Sequence, residues 1–168
     1  MFEPSAGKLW KRLTREERLA AAQQFFSQPP QEVYGTALGA IVRARKLRPQ
    51  VARSMAPEEQ AKALASVLDP GEPLAGSLLV ALHMGDRRPL LGAFLDAVGL
   101  PHEDGLLKEE ADGIPFTAEA ARKGVAALRA AYPREQVDVY LNTLWLQDPE
   151  RWGSLERLYS GVETQSSG

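Results

Sequence analysis

The 168-residue sequence has no cysteine and only two histidines, His83 and His102. Without thiols there are no disulfides, no thiolate nucleophile and no Cys-rich zinc site. A reducing compartment, the cytoplasm, is the expected setting. Histidine-based nucleophile–base pairs are nearly exhausted as well. Long apolar runs are missing: the longest aliphatic stretch, Leu78 to Leu82, stops at His83. A bilayer-spanning helix needs about 20 such residues. The opening MFEPSAGKLWKRL lacks the apolar stretch of about 7–15 residues that marks a signal peptide. A formal net charge of -2 supplies no general field to draw in nucleic acid or an anionic membrane. G-x-S-x-G, Walker A, G-x-G-x-x-G and H-E-x-x-H motifs are all absent. No cofactor is implied, and no catalytic pair stands out.

What is present is helix. Alanine and leucine dominate, β-branched residues are sparse, and strand alternation is hard to find. The texture is that of bacterial helical proteins, with no motif tying it to a family. At this length one compact domain is expected, with a lead-in over residues 1–13, a helical domain over 14–160 and a disordered tail over 161–168. The expected fold is all-α, an irregular or orthogonal bundle of about seven to nine helices. Residues 74–98 should form its centre. LAGSLLVALHM carries only Ser77 and His83 as polar side chains, and PLLGAFLDAV only Asp96. Helices apolar on all sides are normally enclosed, so a buried αα-hairpin turning at Gly85-Asp86 is predicted.

Local signals place the other helices. Thr14 and Glu17 have capping-box spacing. Pro29-Pro30 ends that helix, and the next covers about Gln31 to Lys46. Gly35 and Gly39 lie four apart on it and suggest a close helix crossing. Pro49, Pro57, Pro89 and Pro149 suit first-turn positions. Pro49, Pro89 and Pro133 recur at separations of 40 and 44 residues, near the period of HEAT-like helix pairs. Independent helix initiation is the better account. Gly99 followed by Leu100 and Pro101 reads as a left-handed C-terminal cap. Residues 102–116 read as a surface loop. Trp10, Trp145, Trp152, Tyr140 and Tyr159 lie near the two ends, where the terminal helices are expected to pack together.

Two groups of side chains are candidates for binding. Arg43, Arg45, Lys46, Arg48 and Arg53 form a run with no acid between them. Arginine grips phosphates bidentately, and the short helices around the run superficially suggest a helix-turn-helix. Glu58 and Glu59, opening the following helix, would repel a nucleic-acid backbone. His102, Glu103 and Asp104 form the second group, a polar loop with metal-binding or proton-exchange chemistry. Three consecutive residues rarely converge on one ion, so a solvated loop is the simpler account. An acidic set, Glu103, Asp104, Glu109, Glu110, Asp112 and Glu119, opposes the basic run. These features point to a non-catalytic interaction or scaffold module, bound to another protein or to itself. Nucleic-acid binding through residues 43–53 and a small-molecule or metal site at 102–104 are the alternatives.

Overall fold

Short-range hydrogen bonding sets the helix boundaries. In the computed structural model, which describes residues 5–156, the Thr14 hydroxyl accepts from the Glu17 N–H at 3.1 Å. The Glu17 carboxylate accepts from the Thr14 N–H at 2.9 Å. This reciprocal box opens α2 (Arg15–Ser27). Helix α3 (Gln31–Arg45) starts after Pro30, and α4 (Pro49–Ser54) and α5 (Pro57–Ala65) each begin on a proline. Then come α6 (Glu72–Met84), α7 (Arg88–Val98), α8 (Ala118–Ala131) and α9 (Arg134–Gln147). Residues 153–156 are helical too. Gly99 adopts φ 76°, and the Leu100 N–H reaches the Leu95 carbonyl at 3.0 Å, ending α7 as its Gly-Leu-Pro sequence predicts. Among the described residues the regular structure is all helix apart from one two-stranded ribbon. None of the described helices is long and apolar enough to cross a membrane.

The residues expected to be a lead-in carry a further helix, α1 (Ala6–Arg12). Ser5 caps it, and Leu9 and Trp10 are fully buried. The Trp10 indole N–H donates to the Val67 carbonyl at 2.8 Å. A second cap comes from α6: the Glu72 carboxylate accepts from the Ser5 hydroxyl and from the backbone N–H groups of Ala6 and Gly7. A carboxylate there meets both the free donors and the positive end of the α1 dipole.

Packing divides the described chain into two compact units, Ser5–Asp86 and the part from Arg87 onward. In the first, α2 lies against α5 and α6, α1 against α6, and α3 against α4, α5 and α6. In the second, α7 packs on α8 and on the ribbon, and α8 meets α9. The boundary falls in the link of the hairpin predicted at 74–98. Both segments are helical and largely buried, as their composition predicts. Helix α6 belongs to the first unit and α7 to the second. A further stretch buried on every side is Val137 to Thr143 of α9, seven consecutive residues including Asp138 and Asn142. Its polar side chains conceal it from an apolarity search.

The aromatic ends likewise pack in separate units. Trp10 belongs to the first, whereas Trp152 sits in the second against Phe116 and Phe94, with ring centroids 4.8 and 6.1 Å away. Tyr159 and the predicted tail lie outside the described residues. Pro49, Pro89 and Pro133 all stand at helix starts, on helices of 6, 11 and 14 residues. Those unequal lengths favour separate initiation over a repeat.

Gly35 and Gly39 do not mark a helix crossing. A Cβ on Gly35 would meet nothing within 4 Å, and one on Gly39 only the Arg43 guanidinium at 3.5 Å. Gly35 is exposed on α3. Gly35→Ala should therefore raise stability by about 0.5–1 kcal/mol through helix propensity and a less free unfolded chain. Urea denaturation followed by circular dichroism measures it, and a loss of stability would contradict the open site.

The cap on α1 carries a pH dependence. The Ser5 hydroxyl, more than the Gly7 and Ala6 N–H groups, holds the Glu72 carboxyl below its ordinary value of 4.5, against partial burial. Between the folded and unfolded values the unfolded chain binds more protons. The Glu72 contribution is therefore full above the ordinary carboxylate range and disappears as pH falls through the folded value. Glu72→Gln should cost about 1 kcal/mol at neutral pH, the usual worth of a helix cap. The gap between wild type and variant should close in strongly acidic solution. A gap constant from pH 7 to about 2.5 would exclude the carboxylate as its source.

Candidate functional site

The basic run sits where α3 gives way to α4. Arg43 and Arg45 occupy the last turn of α3, and Lys46 ends it in the left-handed conformation at φ 54°. The Leu47 N–H closes on the Val42 carbonyl at 3.1 Å. Arg48 is the N-cap of α4, and Arg53 lies in its last turn. Buried Ala52 anchors this short helix, its carbonyl accepting the Gln60 side-chain N–H from α5 at 2.9 Å. The corner is thereby held while all five cations stay exposed.

Dipole compensation explains part of this arrangement. Cations suit the C-terminal turns of α3 and α4, whereas Arg48 stands at the positive end of α4, where a cation is disfavoured. Among the described residues, no carboxylate pairs with Arg43, Arg45, Lys46, Arg48 or Arg53. Glu58 and Glu59 remain exposed at the start of α5, with Glu59 paired to Lys62 at 3.4 Å. The corner thus presents concentrated, uncompensated positive charge.

Residues 102–104 form a β-hairpin rather than an open loop. Strands β1 (His102–Glu103) and β2 (Leu106–Leu107) pair antiparallel, His102 opposite Leu107 and Glu103 opposite Leu106. The intervening Asp104 and Gly105 have φ 52° and 87°, as a type I′ turn demands. Asp-Gly is the strongest short-range hairpin signal in a sequence. It was legible here, and the neighbouring charges obscured it.

The ribbon is fastened to α7 in three places. Arg88 pairs with Asp104 at 3.0 Å, and a Cβ on Gly105 would come within 2.9 Å of the Leu91 side chain. His102 Nε2 lies 2.6 Å from Asp96 Oδ1, and the Gly105 N–H donates to His102 Nδ1 at 3.1 Å. Because an N–H donates to Nδ1, that atom carries the lone pair and Nε2 carries the proton shared with Asp96. Both ring nitrogens are occupied in holding the hairpin. His102 is thus held by Asp96 and the Gly105 N–H, while Asp104 turns to Arg88. Among the described residues, no three His, Asp or Glu side chains gather at metal-binding distance. Asp96 itself lies on the exposed edge of α7.

His83 is buried, with its Nδ1 against the Leu79 carbonyl at 2.7 Å, the structural role its place in α6 suggests. Burial pushes the Tyr140 phenol well above its ordinary value, away from acid–base work near neutrality. The ribbon borders a shallow, open groove of about 760 Å³, whose charged lining is Arg88 and Lys108 against Glu103, Asp104, Glu109 and Glu110. Glu109 and Glu110 begin a 3-10 helix over Glu109–Gly113, and Asp112 within it pairs with Arg151 at 3.2 Å. The segment predicted as a loop is therefore built structure with an acidic rim. No protein-family model, curated protein or solved structure matches this chain.

Proposed function

We propose that the protein is a helical interaction module of a reducing compartment, which engages an acidic partner surface through the α3–α4 corner. One observation supports it above all: five exposed cations without a carboxylate partner among the described residues. An uncompensated patch of this kind speeds encounter with an acidic surface and selects against basic ones. The hydrogen bonding of His102 turns the 102–104 segment toward a structural role, which weakens the small-molecule and metal alternative.

The test is binding of fluorescent poly-glutamate by the full chain and by the triple variant Arg43→Ala, Arg45→Ala, Arg48→Ala. Wild type should bind at low ionic strength, and the variant about tenfold more weakly or less. Equal binding by both proteins would refute the corner as the interface. A nucleic-acid reading draws support from the four arginines, which suit phosphate oxygens. It predicts that duplex DNA or RNA outcompetes poly-glutamate, with a salt slope that flattens in the variant. Exposed Glu58 and Glu59 favour the protein partner.

A further inference from the structure

Among the described residues only four large apolar side chains are prominently exposed: Val51, Leu68, Leu106 and Ile114. Two of them stand within the charged patches. Val51, 47% exposed, lies on α4 between Arg48 and Arg53. Leu106, 45% exposed, lies on the ribbon beside Glu103 and lines the groove. An apolar residue ringed by charge is the usual anatomy of an interface centre and rim. One patch is a helical corner of positive charge. The other is a groove lined by the carboxylates of Glu103, Asp104, Glu109 and Glu110 and by two cations, Lys108 and Arg88, of which Arg88 is engaged by Asp104.

We infer that the acidic partner of the α3–α4 corner is the ribbon groove of a second copy of this chain. This rests on the reading of the corner as the binding face. Charge sign and an exposed apolar residue match between the two surfaces: the corner offers Val51 among cations, and the groove offers Leu106 among four carboxylates and two cations. Two unlike patches give a heterologous, head-to-tail contact, which closes into a ring or grows as a chain.

Charge reversal in complementary pairs tests this in the full chain. One variant carries Arg43→Glu, Arg45→Glu and Arg48→Glu, and the other Glu103→Lys, Glu109→Lys and Glu110→Lys. All six side chains are exposed, and circular dichroism verifies folding. By sedimentation velocity, wild type should associate at about 50 mM salt and dissociate near 500 mM, where exposed charges are screened. Each variant alone should associate at least about tenfold more weakly, and an equimolar mixture should recover association because opposite patches face again. A wild type that stays monomeric at about 0.2 mM protein and low salt overturns the inference, as does association in both variants alone. If poly-glutamate still binds the wild-type corner in that event, the partner is another protein and the proposed function stands. Loss of poly-glutamate binding as well would overturn both.

Discussion

Trp10→Ala should cost about 3–5 kcal/mol of stability, the usual range for truncating a buried tryptophan. The ring is fully buried, and its N–H satisfies the Val67 carbonyl after α5, so truncation leaves both a cavity and an unpaired acceptor. Domains of this size are stable by only about 5–15 kcal/mol, and much of the first unit's margin would be lost. Trp10→Phe separates the two contributions, since it keeps most of the volume and removes the donor. Its expected cost is about 1 kcal/mol, the net worth of one hydrogen bond to a half-buried carbonyl. Urea denaturation monitored by circular dichroism measures both. If Trp10→Ala cost under about 1 kcal/mol, α1 would not be docked as described.

Gly124→Ala should also destabilise, by about 1–3 kcal/mol or more, although alanine is the better helix former by about 1 kcal/mol. A Cβ at this position in α8 would lie 2.5 Å from Val98 Cγ1 and 2.6 Å from Phe94 Cε2. Phe94 is fully buried, with Tyr140 and Trp152 rings at 5.5 and 6.1 Å, so it has little freedom to retreat. The sign of the change is diagnostic, because the open position Gly35 should respond in the opposite direction. Val98→Ala in the Gly124→Ala background should recover part of the loss, which a double-mutant cycle in urea reads as a coupling energy. Additive losses would place the α7–α8 contact elsewhere.

These two positions show how differently the sequence discloses its contents. The Thr14–Glu17 box, the initiating prolines and the Gly99 cap are local arrangements, complete within about one helical turn. The predicted helices consequently match the structure closely. Trp10 sits on a seven-residue helix whose decisive contacts, Val67 and Glu72, lie more than 50 residues away. Nothing near residue 10 announces them. Gly35 and Gly39 have the conventional crossing spacing, yet Gly35 faces open space and Gly39 only its own helix's Arg43, whereas Gly124 makes the close contact between helices.

The candidate sites divide along the same line. The basic run was visible as charge, and its exposure followed from composition. That none of the described carboxylates pairs with it depends on where those acidic residues go, which only folding decides. His102 is the converse case. Chain reversal at Gly99 and the Asp104-Gly105 turn carries its ring to Asp96, six residues back, and spends both nitrogens on structure.

By itself, then, the sequence determined an all-helical protein, the ends of most helices, and a cationic stretch over residues 43–53. Those properties arise from backbone hydrogen bonds and side-chain periodicity, which act over three or four residues. Tertiary structure alone decided that residues 74–98 serve two packing units, that α9 carries a further enclosed stretch, and that the 102–104 segment is a fastened ribbon. Burial and ion pairing depend on the neighbours a side chain acquires, and those neighbours come from distant parts of the chain.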